Sequence, residues 1–103
     1  MPVDEVHAFR GEATLEGEYT VGYEPGSRHA VMVFSRQPSG SDHDFDLAAR
    51  RAVENGLHNV SLADAGKVRP EAVGAMPPEF VQAYNAALEA GYGVIIYSEP
   101  IVE

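Results

Sequence analysis

Ala30-Val31-Met32-Val33-Phe34 is the stretch that decides the fold, because its apolar residues follow one another without a polar break. A strand with one face in water alternates apolar and polar residues, whereas an unbroken apolar run is typical of a strand covered on both faces. Turn-forming residues flank the run, with Pro25-Gly26-Ser27 before it and Gln37-Pro38-Ser39-Gly40-Ser41 after it. We therefore expect residues 30–34 to form a central strand of a sheet.

The residues before this run alternate, as in a half-buried strand. The apolar face of the first segment carries His7, Phe9, Ala13 and Leu15. A second alternating segment, from Tyr19 to Glu24, follows the short Glu16-Gly17-Glu18 loop. Pairing Leu15 with Tyr19 keeps the apolar faces together and places Arg10 opposite Glu24. The pattern predicts an N-terminal hairpin.

Helical periodicity appears twice after the central run. The first helix is predicted from Asp42 to Asn55, ending at Gly56, and the second from Pro77 to Gly91. Strands are predicted at His58–Ala63 and Gly93–Tyr97, and the segment 66–76 is expected to be irregular or at most one helical turn. The order β-β-β-α-β-α-β predicts an α+β two-layer sandwich, with a mixed sheet, two helices on one face and parallel strands across each helix. We expect residues 1–103 to form a single domain.

Charge restricts the classes of partner. Sixteen acidic residues against seven basic ones give a formal net charge of -9. This field repels nucleic acid and anionic membrane surfaces and attracts a basic protein, so we expect no nucleic-acid or membrane partner. The chain has no cysteine and no apolar run long enough to span a membrane, and residues 1–5 lack the basic start and apolar stretch typical of a signal peptide, so we expect none. We therefore expect a cytoplasmic protein.

No motif for catalysis, a cofactor or a metal is present in the sequence. Asp42-His43-Asp44-Phe45-Asp46 resembles the start of a calcium loop, but the positions that require glycine and glutamate hold Leu47 and Val53. We interpret this acidic segment as the cap of the first helix, with Ser41 or Asp42 as the residue that accepts the unpaired backbone amides. The four histidines lack the paired helical spacing of a zinc site, and His7 is expected to be a hydrogen-bonded, partly buried side chain. The sequence therefore predicts no catalytic residue, no cofactor and no metal, and we expect a protein that is not an enzyme.

Two features point toward binding. Residues 1–46 contain nine of the acidic residues but only three basic ones. The candidate partner-binding residues are Glu12, Glu16, Glu18, Glu24, Asp42 and Asp44. In addition, the strands at 30–34 and 93–97 are both apolar on two faces, and two helices on one face of the sheet cannot cover the other face. Some of Val31, Val33, Ile95 and Tyr97 are then expected to lie uncovered, unless a loop or a second subunit shields them.

These features favour a small acidic inhibitor. The leading hypothesis is an immunity-type or phage-encoded protein that occludes a basic surface of a toxin or nuclease, which is an analogy of type. The first alternative is a homo-oligomeric module, such as a homodimer, whose apolar strands pair across a twofold axis. The second is a small enzyme or ligand-binding protein with a pocket near Asp64 and Ser98.

Overall fold

The computed structural model describes residues 4–15 and 26–100. The elements are, in chain order, strand β1 (Asp4–Leu15), strand β2 (Arg28–Pro38), helix α1 (Phe45–Glu54), strand β3 (Leu57–Lys67), a 3-10 helix (Pro70–Ala75), helix α2 (Pro78–Ala90) and strand β4 (Tyr92–Pro100). This is an α+β fold, as the sequence predicts. Both helices lie where their periodicity places them, and β3 is longer than expected because it extends to Lys67. The segment expected to be irregular or at most one helical turn contains the 3-10 helix.

The four described strands form one open sheet in the order β3-β1-β2-β4. Every pairing in it is antiparallel, so the expectation of a mixed sheet is wrong. The reason is that neither helix returns the chain to an adjacent strand. The connection through α1 passes from β2 across β1 to β3, and the connection through α2 passes from one edge of the sheet to the other.

β1 forms its hairpin with β2, the strand that contains the apolar run. Arg10, expected opposite Glu24, lies opposite Met32 on one side and Asp64 on the other. The predicted strand Tyr19–Glu24 lies outside the described residues. An apolar strand such as β2 is a central strand, with a neighbouring strand on each side in the sheet. The long strand β1 is one of these two neighbours.

The two helices pack on opposite faces of the sheet, so the expectation of two helices on one face is wrong. Successive side chains of a strand point to opposite faces. Val31 and Val33 of β2 pack in one core with Ala48 and Ala52 of α1. The intervening Met32 and Phe34 belong to a second core with Ala83 and Ala87 of α2. The architecture is therefore helix, sheet, helix, and this explains why β2 is apolar on both sides.

The two faces are covered unequally. Val31 and Val33, on the α1 face, have exposed fractions of 1% and 0%. On the other face, α2 and the 3-10 helix cover the end at which β1 begins, and they bury Val6 and Phe34. Farther along that face Tyr97 is 43% exposed. An uncovered apolar position is thus present at Tyr97, whereas α1 shields Val31 and Val33.

Helix α2 approaches β4 closely because of a glycine. A methyl group at Gly93 would overlap the backbone carbonyl of Ala83, so a side chain here would push the helix off the sheet. The helix ends, as predicted, at Gly91, which has φ of 90° and donates its N–H to the Ala87 carbonyl. Within the described part of the chain, no helix is long and apolar enough to cross a membrane.

Candidate functional site

The segment Asp42-His43-Asp44-Phe45-Asp46, here called the acidic turn, joins β2 to α1 and is exposed throughout. Its residues line a shallow depression of about 390 Å³. Asp44 is the N-cap of α1, and its Oδ1 accepts a hydrogen bond from the Leu47 N–H at 2.9 Å. The segment therefore caps the helix, as interpreted from the sequence, but the capping residue is Asp44 and not Ser41 or Asp42, because the helix begins at Phe45. The carboxylates lie at the positive end of the helix dipole.

Gln37, a buried side chain near the end of β2, holds the acidic turn in place. Its Nε2 donates to Ser41 Oγ at 2.9 Å and to the Asp42 carbonyl at 2.7 Å. Its Oε1 accepts from the Asp44 N–H at 3.0 Å. Leaving the buried amide of Gln37 without these partners would destabilise the fold. The bonds therefore fix the path of the backbone and the positions of the carboxylates.

Aromatic packing supports the same segment from below. The Phe45 ring meets Phe9 of β1 edge to face, with centroids 5.1 Å apart, and remains 38% exposed. The His43 ring meets Phe9 in a similar way at 6.2 Å. Phe9 is fully buried among the residues that pack against α1. The acidic turn therefore rests on the core and presents one half-exposed ring beside its carboxylates.

A chain of hydrogen bonds links the acidic turn to the start of β1. His7 Nε2 lies 2.6 Å from Glu5 Oε2, and His7 Nδ1 lies 2.7 Å from His43 Nδ1. His7 is hydrogen-bonded, as the sequence predicts, and at 1% exposed it is more deeply buried than expected, while the Glu5 side chain is 12% exposed. We call these residues the Glu5–His7–His43 triad.

An ionised Glu5 and a neutral His7 together determine which ring nitrogens of the triad carry protons. An ionised carboxylate only accepts hydrogen bonds, so His7 Nε2 carries a proton and donates a hydrogen bond to Glu5. In a neutral His7 the other nitrogen, Nδ1, is then an acceptor, and His43 must donate from its own Nδ1. In that state His43 Nε2 carries a lone pair, and it has no partner among residues 4–15 and 26–100. With His7 in this neutral form, the exposed edge of His43 accepts hydrogen bonds, as the neighbouring carboxylates do.

Glu5 is held strongly in its ionised form. The hydrogen bond from His7 is the largest cause that lowers its pKa to about 2. Burial acts in the opposite direction, while the Gly40 N–H and the Lys67 ammonium, whose Nζ lies 3.2 Å from Oε1, lower the pKa further. A charged Glu5 in turn keeps the proton on His7 Nε2.

The basic side chains are mostly engaged within the molecule. The described ion pairs of lysine and arginine are Arg10 with Asp64, Arg28 with Glu12, Arg36 with Asp4 and Lys67 with Glu5. Arg51 donates to Ser35 Oγ and to the carbonyls of Arg36 and Gly91. In the described ranges, no lysine or arginine forms an ion pair with a carboxylate of the acidic turn.

The structure separates the predicted partner-binding residues. Asp42 and Asp44 lie together in the acidic turn, on the side of Phe9 and α1. Glu12 points to the other face of the sheet, where its Oε1 accepts from Arg28 Nε at 3.0 Å. The remaining candidates, Glu16, Glu18 and Glu24, lie outside the described residues. Asp64 and Ser98 belong to strands at opposite edges of the sheet, so they do not form the one pocket that the ligand-binding alternative expects.

Sequence reasoning missed Glu5 and Gln37, on which the site depends. Both lie in strands that extend beyond the predicted ends, since β1 begins at Asp4 and β2 continues to Pro38. A signal for Gln37 was present, because the inward alternation of Val31 and Val33 continues through Ser35 to Gln37. No comparable signal pairs His7 with His43, which are 36 residues apart.

Among the residues that the structure describes, no group of three histidine or acidic side chains is arranged to hold a metal ion. The site is therefore described by its acceptors and its shape alone. Comparison of the chain with protein-family models, with curated proteins and with solved structures gives no match.

Proposed function

We propose that this chain is a small acidic binding protein whose acidic turn docks onto a basic surface of another protein. The observation that carries the proposal is the distribution of charge. Within the described residues, most of the basic side chains are engaged internally, while the carboxylates of the acidic turn face solvent without an ion pair. Occlusion of a basic surface of a toxin or nuclease, by an immunity-type or phage-encoded inhibitor, is the function that this distribution favours.

The chemistry of the acidic turn favours an arginine on the partner. A guanidinium offers five N–H donors and accepts nothing, so it suits a surface that consists of acceptors. Asp42 and Asp46 supply carboxylates, and His43 supplies the lone pair on Nε2. The exposed part of the Phe45 ring adds a surface over which a guanidinium can stack.

Such a surface acts mainly on the rate of encounter. An exposed charge pair contributes about 0–1 kcal/mol on its own, so no single carboxylate of the turn is expected to dominate affinity. Steering by many unpaired charges raises association rates and makes them depend on salt. The triad and Gln37 hold the turn in one conformation, so little conformational entropy is lost when a partner binds.

The proposal is tested by comparing two variants of equal charge. The turn variant carries Asp42→Asn and Asp46→Asn, and it keeps the Asp44 cap. The control carries Glu54→Gln and Glu89→Gln, which are exposed and lie near the ends of α1 and α2. A specific partner should be retained from a lysate of the source cells by the wild type and the control, and lost by the turn variant. Equal recovery on all three would contradict the proposal.

One observation favours the homodimer alternative. β4 lies at an edge of the described sheet, and its central residues, Val94 to Tyr97, are uncharged. An uncharged segment of an edge strand can pair with a second copy. Light scattering at high protein concentration distinguishes the cases, because a stable dimer has twice the chain mass of 11.1 kDa. A single-chain mass at all concentrations excludes the alternative.

A further inference from the structure

A cleft on the opposite side of the sheet from the acidic turn has a different chemistry. It lies between the uncovered part of the α2 face and the segment that joins β3 to α2, and its volume is about 360 Å³. Its walls are largely apolar and include Met32, Phe34, Met76 and Phe80. Ligand pockets are commonly apolar clefts of about 300–1,000 Å³ that contain a few polar groups.

The cleft continues along the sheet into a second depression of about 360 Å³. The two share Ala8, Met32 and Gly66, and the second is bordered by the Arg10–Asp64 ion pair. The apolar floor is thus elongated. An extended hydrocarbon fits this shape better than a compact polar molecule.

Arg69 provides the charge that selects a ligand. It borders the cleft, it is exposed, and within the described residues its guanidinium forms no ion pair or hydrogen bond. Lys67 also borders the cleft, but its ammonium lies on Glu5, and Arg10 is neutralised by Asp64. One unpaired guanidinium at the rim of an apolar cleft is complementary to a single anionic head on an apolar tail.

We propose that this cleft binds a medium-chain carboxylic acid, with the carboxylate on Arg69 and the chain along Met32, Phe80 and Met76. The site is separate from the acidic turn, because the residues of its floor belong to the core under α2, whereas the turn packs on the core under α1. The proposed partner of the acidic turn and this ligand could therefore bind at the same time.

Because the net charge is -9, a preference for an anionic ligand over a cationic one would indicate a specific site. Unspecific adsorption to an acidic protein favours a cationic amphiphile over an anionic one. A carboxylate binds better than its cationic counterpart only if a local positive charge outweighs the overall field. Preference between head groups on the same chain length therefore reports on Arg69.

The test is calorimetric titration of the full chain with decanoate, decanol and decyltrimethylammonium, each below its aggregation concentration. Decanoate should bind most tightly, and Arg69→Gln should weaken it about tenfold, as expected for the loss of a charged hydrogen bond. Arg50→Gln is the matched control, because Arg50 is exposed on α1 and likewise forms no ion pair in the described part. It should leave the affinity unchanged. Methyl NMR should show shifts at both Met32 and Met76.

Three results would overturn the proposal. The first is absence of decanoate binding at millimolar concentration. The second is binding of the cationic amphiphile as tightly as decanoate, and the third is an Arg69→Gln variant with wild-type affinity for decanoate. Because the acidic turn lies on the other side of the sheet, these outcomes do not depend on its proposed function.

Discussion

His7 has partners on both ring nitrogens although its side chain is 1% exposed. A buried polar atom without a partner costs about 1–3 kcal/mol. The burial of His7 therefore favours conformations in which its neighbours stay within hydrogen-bonding distance of its ring. Glu5 and His43 are therefore positioning residues for the acidic turn, one at each end of the same hydrogen-bonded chain. The following two predictions belong to this scale of single residues.

Glu5→Gln should destabilise the protein at neutral pH and lose this effect in acid. The pKa of Glu5 is lowered from 4.5 to about 2 in the folded state, chiefly by His7. A carboxyl whose folded pKa is depressed contributes stability that is complete above the unfolded pKa and is lost as the pH falls toward the folded pKa. Urea unfolding of the wild type and the variant, from pH 7 down to pH 3, measures the difference.

Glu71→Gln is the control for this series. Glu71 is exposed, and within the described ranges it forms no ion pair. It should change stability little at any pH. If the difference between the wild type and Glu5→Gln is the same at pH 7 and pH 3, the charge of Glu5 does not act as described.

Gly11→Ala should destabilise the fold by about 1–3 kcal/mol, as overpacking does. A methyl group there would overlap the carbonyl of Ser61 on β3, at a register shift between the strands. Gly74→Ala is the comparison, because a methyl group at Gly74 meets open space. It should change stability by less than about 1 kcal/mol. Equal melting temperatures for the two variants would show that β3 can move away from β1.

At the scale of elements, the start of α1 depends on one side chain. Asp44→Ala removes the bond to the Leu47 N–H and should cost about 1 kcal/mol. Asp42→Ala is the matched control, because the bond from Gln37 uses the Asp42 backbone carbonyl and survives the substitution. Its cost should stay within about 0.5 kcal/mol. Denaturant unfolding compares the two, and equal losses would mean that charge, not capping, stabilises the helix.

The sequence predicts the elements better than their pairing. The end of α2 at Gly91 and the cap of α1 follow from residues with strong local preferences, and both are present. The partner of β1 does not follow, because two segments, 19–24 and 30–34, could both accept it. Alternation describes which residues share a face, but it does not say which strand lies alongside.

At the scale of the whole molecule, the prediction from the sequence was wrong mainly in placing both helices on the same face of the sheet. An amphipathic helix shows which of its own faces is buried, but not which face of the sheet it covers. The clue was the apolar run of β2 itself. A strand that is apolar on both sides is explained by one helix on each face, with Val33 under α1 and Phe34 under α2. The candidate site was predicted in part, because Asp42 and Asp44 are visible in the sequence while the support from Glu5 and Gln37 is tertiary.

The acidic turn as a docking surface is the central claim, and association kinetics test it most directly. The partner retained by the wild type is immobilised, and surface plasmon resonance compares the wild type, Asp42→Asn with Asp46→Asn, and Glu54→Gln with Glu89→Gln at several ionic strengths. Both variants remove two negative charges, so they differ only in where the charge is lost. We predict slower association and a flatter salt dependence for the turn variant alone. Identical association rates for the two variants would contradict it.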